Sequence, residues 1–124
     1  PRALSAAHNL GNAYRVSGRL DKAVPLLEGA LVRAEQHAPK GSEVLRALPR
    51  TLARCAADAG DYKRAIPLYE KALVRGRAEL PRTSSFLIEA LQEMRGAHEA
   101  LDQWDRAELL ALELLKTYSE MLPK

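Results

Sequence analysis

Apolar residues recur along the first third of the chain at three- and four-residue steps. Leu4, Ala7, Leu10, Gly11 and Tyr14 form one stripe, and Ala23, Leu27, Ala30 and Leu31 form a second, with Gly18 between them. Side chains three and four apart lie on one side of an α-helix, so each stripe predicts a helix with one buried face. Gly18 marks the turn, and Asp21 is the expected cap of the second helix. Leu48, Leu52, Cys55 and Ala56 stripe a third helix, Gly60 breaks it, and Asp61 is placed to cap a fourth. Helices joined by turns this short pack antiparallel.

The pattern repeats as well as alternates. AVPLLEGALVR, from Ala23 to Arg33, returns as AIPLYEKALVR from Ala65 to Arg75, 42 residues on. Gly18 meets Gly60 in the same register. A second step of 42 brings Ala65 to Ala107, Tyr62 to Trp104, Leu73 to Leu115 and Gly60 to Asp102. A fixed period of this size marks a solenoid, in which each helix pair buries its stripe against its neighbours. The expectation is an all-α superhelix of three antiparallel helix pairs. The copies fall at about 1–41, 42–83 and 84–124, with links at His37–Ser42 and Glu79–Ser84. Helix axes approach to about 8–10 Å only where the contact residues are small. Gly11, Ala53, Ala23, Ala30, Ala65 and Ala72 are the residues expected there, with Tyr14, Leu27, Tyr69, Leu31 and Leu73 filling the space beside them.

Composition narrows this picture. Of 124 residues 47% are hydrophobic, enough for one domain with a core. Nineteen basic against sixteen acidic side chains give a formal charge of +3, too mild to argue for nucleic acid. Cys55 is alone, which excludes an intrachain disulfide and fits a reducing compartment such as the cytoplasm. No apolar run is long enough to span a membrane. The chain opens on Pro1 without a signal-peptide pattern, as a piece cut from a longer protein would.

NLGNAYRVSGRLDKA, from Asn9 to Ala23, resembles the tetratricopeptide repeat. The matching positions are Asn9, Leu10, Gly11, Ala13, Tyr14, Gly18, Leu20, Ala23 and Ala30, then Leu52, Ala53, Cys55, Gly60, Tyr62, Ala65, Tyr69 and Ala72 in the second copy. The third keeps Ala97, Trp104 and Ala107. There Met94 and Arg95 replace the Leu-Gly pair, His98 stands for the Tyr as a packing residue, and Leu114 replaces the second Ala. The usual family period is about 34 residues. The longer period, with Ala-x-Pro-Leu opening the second helix, is similar to repeats of kinesin light chains and nephrocystin-like proteins. The resemblance implies a right-handed superhelix that binds a peptide or helical segment of a partner protein on its concave side.

Catalytic chemistry is not written in the chain. His8, His37 and His98 are far apart, without a cysteine or carboxylate at metal-ligand spacing. Cys55 lies on an apolar stripe and reads as a small buried hydrophobe. No phosphate-binding glycine loop, nucleophile elbow or His-Glu-x-x-His is present. The expectation is a module without catalysis, cofactor or metal. Two alternatives are an RNA-binding helical repeat and a regulatory segment of a signalling ATPase or transcription regulator. Scattered arginines among acids, with few aromatics for base stacking, weigh against the first.

The resemblance also places the groove, because the first helix of each copy lines the concave side in this family. The implied positions are Ser5, His8, Asn9, Asn12 and Arg15, then Ala47, Arg50, Thr51, Arg54 and Asp58, then Glu89, Gln92, Glu93 and Glu99. Arginines in the first two copies and glutamates in the third suggest a basic end and an acidic end, suited to a partner with acidic and basic segments. The asparagine and lysine clamp by which some members hold chaperone tails is not matched. In the last helix, about Trp104 to Leu122, Ala107, Ala111, Leu114, Leu115 and Tyr118 are expected to pack within their own copy. Leu109 and Leu112 are then surplus, and imply cover by a further helix or by self-association.

Overall fold

The computed structural model describes residues 2–123. Its helices are α1 (Arg2–Val16), α2 (Leu20–His37), α3 (Val44–Asp58), α4 (Tyr62–Glu79), α5 (Ser85–Ala100) and α6 (Trp104–Met121). Among the described residues there is no strand. The pairs α1–α2, α3–α4 and α5–α6 are the predicted copies of one helix-turn-helix unit.

The turn inside each pair is the same structure three times. Gly18 (φ 80°), Gly60 (φ 79°) and Asp102 (φ 57°) hold the left-handed conformation. Glycine adopts it without a Cβ penalty, and aspartate is among the few other residues that tolerate it. In each turn one backbone N–H reaches back five residues. Arg19 donates to the Tyr14 carbonyl (2.8 Å), Asp61 to Ala56 (2.8 Å) and Gln103 to His98 (2.9 Å). That bond closes the first helix of the pair and satisfies a carbonyl the helix leaves free.

Two helix starts follow from side-chain caps. The Asp61 carboxylate accepts from the Arg64 N–H, as expected, and the Ser84 hydroxyl accepts from the Leu87 N–H, both at 3.3 Å. Asp21 does not cap α2. The cap position is Arg19, with no side-chain bond, and Asp21 falls in the first turn. In the repeat register it is Arg19, not Asp21, that corresponds to Asp61. Asp21 still sits favourably, since a negative charge complements the helix N-terminus.

Layering follows from which helices touch. α1 packs on α3 and α3 on α5, whereas α2, α4 and α6 do not pack on one another. The first helices therefore form a close inner layer and the second helices a splayed outer one, which curves the array with α1, α3 and α5 on the inside. Long side chains bridge the outer gaps. Arg64 of α4 pairs with Glu28 of α2, Lys71 of α4 with Glu35 of α2, and Arg77 of α4 with Glu113 of α6. Exposed pairs of this kind contribute little.

The core lies between the layers in two linked clusters. Leu27, Ala30, Leu31 and Ala34 of α2 meet Val44, Leu45, Leu48 and Leu52 of α3, and Tyr69 and Leu73 of α4 meet Leu87, Ala90, Leu91 and Met94 of α5. Leu68 touches both clusters. The phrase spoken twice in the sequence is thus the surface that joins one copy to the next. A Cβ on Gly11 would lie 2.5 Å from Cγ of Leu27, and one on Gly76 2.7 Å from Cδ2 of Leu87, so both glycines are required by close approach. Ala30 and Ala72 are fully buried. Ala30→Leu and Ala72→Leu are each expected to overpack a helix contact and cost about 1–3 kcal/mol in urea unfolding. Unchanged midpoints in both would place these alanines off the interface.

The third copy departs from expectation. α6 buries Ala107, Leu110, Leu114 and Thr117, and leaves Ala111, Leu115 and Tyr118 exposed. Those three occupy the register of Leu27, Leu31 and Ala34 in α2, and of Tyr69, Leu73 and Gly76 in α4. In the earlier copies that face is covered by the first helix of the following copy, and among the described residues no helix follows α6. His98 behaves as a packing residue. It is buried, with Nδ1 2.7 Å from Oε1 of Gln103.

Candidate functional site

The inner layer carries a line of polar side chains because the register turns the same helix face inward in α1, α3 and α5. Adjacent first helices are cross-linked along this line. His8 Nε2 lies 2.8 Å from Thr51 Oγ1. One repeat on, Arg50 donates through Nη2 to Glu93 Oε2 at 2.7 Å and through Nε to Glu93 Oε1 at 3.2 Å. His8 corresponds to Arg50 and Thr51 to Glu93, so one bridging position is used twice with different chemistry. Burial pulls the His8 pKa below its ordinary value, against an upward pull from Asn9 and Glu43, and Arg50 adds to the lowering. The Thr51 hydroxyl is itself buried.

Arg50 is the best-held charge on this face. It also donates to Glu89 Oε1 at 3.1 Å, and its guanidinium stands 5.4 Å from the Phe86 ring centre. Burial alone would lower its pKa, but the bonds and charges of Glu93 and Glu89 outweigh that and raise it. Arg15 donates through Nε to Asn12 Oδ1 (3.1 Å) and through Nη1 to Asp58 Oδ2 (3.0 Å). Glu99 is engaged by Arg95 of its own helix at 2.9 Å, and Gln92 donates to the Tyr118 hydroxyl. Asn9 and Ser5 are exposed.

These pairings correct the expected polarity. Arg50 of the second copy and Glu89 and Glu93 of the third do not stand at opposite ends of a groove. They face one another across the α3–α5 contact and neutralise each other locally. The sequence hides this because the partners are 43 residues apart, one beyond the repeat, an offset that only helix packing supplies.

Arg54 is the exception. Its Nε lies 3.7 Å from Glu93 Oε2, too long for a hydrogen bond, and about a third of its side chain is exposed. It borders an open cleft of about 360 Å³ lined by Arg15, Ala57, Asp58, Tyr62, Tyr69, Glu93, Gly96 and Ala97. Small residues at Ala57, Gly96 and Ala97 leave the space, and a Cβ on Gly96 would meet nothing within 4 Å. Gly96 and Ala97 were not among the expected groove residues. The available signal was a glycine inside a helix that no packing contact requires.

A second opening, of about 420 Å³, lies between the splayed outer helices α4 and α6. Glu70, Arg77, Arg106 and the exposed Leu109 line it, above Leu73 and Met94. Leu112 is also exposed, on the outer surface. Cys55 is buried, and that burial raises its thiol pKa, against a downward pull from Arg15 and Arg54 and with Asp58 adding to the rise. Among the described residues no group of His, Cys, Asp or Glu could hold a metal ion, and no helix is long and apolar enough to cross a membrane.

Known proteins with this arrangement are helical repeats. The family model described as tetratricopeptide repeat matches residues 2–78, the first two copies. It stops short of the copy in which Met94, Arg95, His98 and Leu114 depart from the motif. Among curated proteins none matches the sequence. A kinesin light chain candidate of Podosopora anserina with nearly identical TPR-like repeats superposes over 98% of this chain and 57% of its own, at TM-score 0.81 and 21% identity. BtubC (BKLC) from P. vanneervenii superposes over 98% of this chain and 47% of its own, at TM-score 0.86 and 20% identity. The chain thus spans about half the length of these solved structures. With the family match, the repeated turn and the two-layered stack in agreement, the chain belongs to the tetratricopeptide repeat family, whose repeats mediate protein–protein interaction.

Proposed function

We propose that the chain is a non-catalytic interaction module that receives a peptide or helical segment of a partner protein on its inner face. The site is the cleft between α1, α3 and α5, and the observation that carries this reading is Arg54. Its guanidinium borders the cleft without a hydrogen-bonded carboxylate, whereas Arg15 and Arg50 are already held. A carboxylate of the partner would bind Arg54, and a cationic or amide group would meet Asp58 or the half-exposed Glu89. Asn9, Asn12 and Gln92 would supply amides along the same line. Glu89, Glu93 and Asp58 disfavour a phosphate backbone, so this face suits a protein better than RNA.

Gly96→Trp tests the site, because a Cβ at this position meets nothing within 4 Å and the cleft beside it has room for a ring. Peptides selected on the immobilised protein from a random library are expected to bind Gly96→Trp and Arg54→Ala about tenfold or more weakly. Helical circular dichroism should stay unchanged in both. Selected peptides that bind both variants like the parent would move the site off this face.

A further inference from the structure

The opening between α4 and α6 differs from its counterpart between α2 and α4. We infer that it binds a free aromatic amino acid whose ring carries a hydrogen-bond donor, tryptophan above all. The site is separate from the inner-face cleft, and neither needs the other.

The register shows what sets this opening apart. Leu52, Ala56, Arg64 and Leu68 border a space of only about 100 Å³ in the first gap. Their copies one repeat on, Met94, His98, Arg106 and Leu110, border about 420 Å³ in the second. In the first gap Arg64 bonds directly to Glu28 across the helices. The copies of that pair are Arg106 and Glu70, which both line the opening and make no ion pair among the described residues. Arg77 on the same rim is already held by Glu113. Arg64 and Pro67, the counterparts of Arg106 and Leu109, stay exposed in α4 although α5 follows it. This space is therefore distinct from the face that a following helix covers.

The depth of the opening specifies the rest of the ligand. Leu73, Met94 and Leu110 are buried and form an apolar floor, and a methionine sulfur favours an aromatic ring. His98 lies among them, 4% exposed, with Nδ1 2.7 Å from Oε1 of Gln103. An amide oxygen only accepts, so the proton sits on Nδ1, and Nε2 of the neutral ring is left as an acceptor. Nε2 has no partner among the described residues and is not sealed from solvent. It calls for a donor at the tip of an apolar body, which the indole N–H supplies. At the rim a carboxylate would bind Arg106 and an ammonium Glu70, so the zwitterion bridges the pair that fails to close. A volume of this size suits a small organic ligand.

Amide chemical-shift titration of the whole chain with L-tryptophan tests this. Saturable shifts are expected at Leu73, Met94, His98 and Leu110, half complete at about 1 mM or below. L-phenylalanine lacks the ring donor, tryptamine lacks the carboxylate, and N-acetyl-L-tryptophanamide lacks both charges. Each should bind about tenfold or more weakly. Arg106→Gln, at an exposed position, should lower the affinity for L-tryptophan to that of tryptamine and leave tryptamine binding unchanged. Absence of saturable shifts with L-tryptophan up to about 10 mM would overturn the proposal. So would an Arg106→Gln variant that binds L-tryptophan like the parent. Equal binding of N-acetyl-L-tryptophanamide would overturn it too, and would make the occupant an aromatic residue within a partner chain.

Discussion

Replacing Tyr69 by alanine is expected to cost about 3–5 kcal/mol of folding stability. Tyr69 is the largest fully buried side chain and touches the cluster shared by α3, α4 and α5. Its removal opens a cavity where two copies join, and alanine-rich neighbours at Ala53, Ala56, Ala65 and Ala90 have little side chain with which to refill it. In a solenoid each copy touches only its neighbours, so the loss falls on one copy and its junction and is not shared across the chain. A loss of this size is a large part of the 5–15 kcal/mol or so that stabilises a typical domain. Urea unfolding followed by circular dichroism gives the number. A lowered midpoint is expected, with a second transition if the third copy melts first. The same register position carries Leu27 in the first copy, equally buried, and Ala111 in the third, exposed. Leu27→Ala should therefore cost about 2–5 kcal/mol. Ala111→Ser, on the open face of α6, should change stability by less than about 0.5 kcal/mol. Similar losses at all three positions would show that the stack is closed where it is described as open.

Arg50→Glu is expected to cost about 2–4 kcal/mol, because it removes the two-point bond to Glu93 and sets a third carboxylate beside Glu93 and Glu89. The figure stays below that of a wholly buried pair, since Glu89 is half exposed to water. The double variant Arg50→Glu, Glu93→Arg should recover a good part of the loss, which a double-mutant cycle reads as coupling between the two positions. Arg64→Glu serves as the control. Its partner Glu28 and Arg64 itself are both about half exposed, and the change should cost no more than about 1 kcal/mol. Equal losses for Arg50→Glu and Arg64→Glu would show that the inner-face pair is no stronger than a surface one.

The sequence carried the fold further than the site, for physical reasons that differ by residue. Period, turn and core are local: Gly18, Gly60 and Asp102 each answer a demand for left-handed backbone, and the alanines of the repeated phrase answer a demand for close approach. Such demands are met by single residues at fixed spacing and can be read one position at a time. Asp21 is not the cap because an aspartate in the first turn of a helix resembles one until the register is aligned on Arg19. The faces of α6 were misjudged for another reason. Leu115 and Tyr118 look like core because in earlier copies that position is core, yet its burial depends on a helix from the next copy and not on its own sequence. The inner face failed similarly. Arg50 and Glu93 are readable as charges, but that they meet is a property of how α3 packs on α5.

On the proposed function, partners are received on the inner layer, at the cleft bounded by Arg54. Amide chemical-shift mapping during titration with a peptide selected on the protein tests it most directly. Shifts are predicted at Arg54, Asp58, Glu93, Gly96 and Ala97 of α3 and α5, with Asn12 and Arg15 of α1 following and the outer faces of α2, α4 and α6 silent. Shifts confined to Glu70, Arg77, Arg106 and Leu109, in the opening between α4 and α6, would instead place recognition on the outer layer.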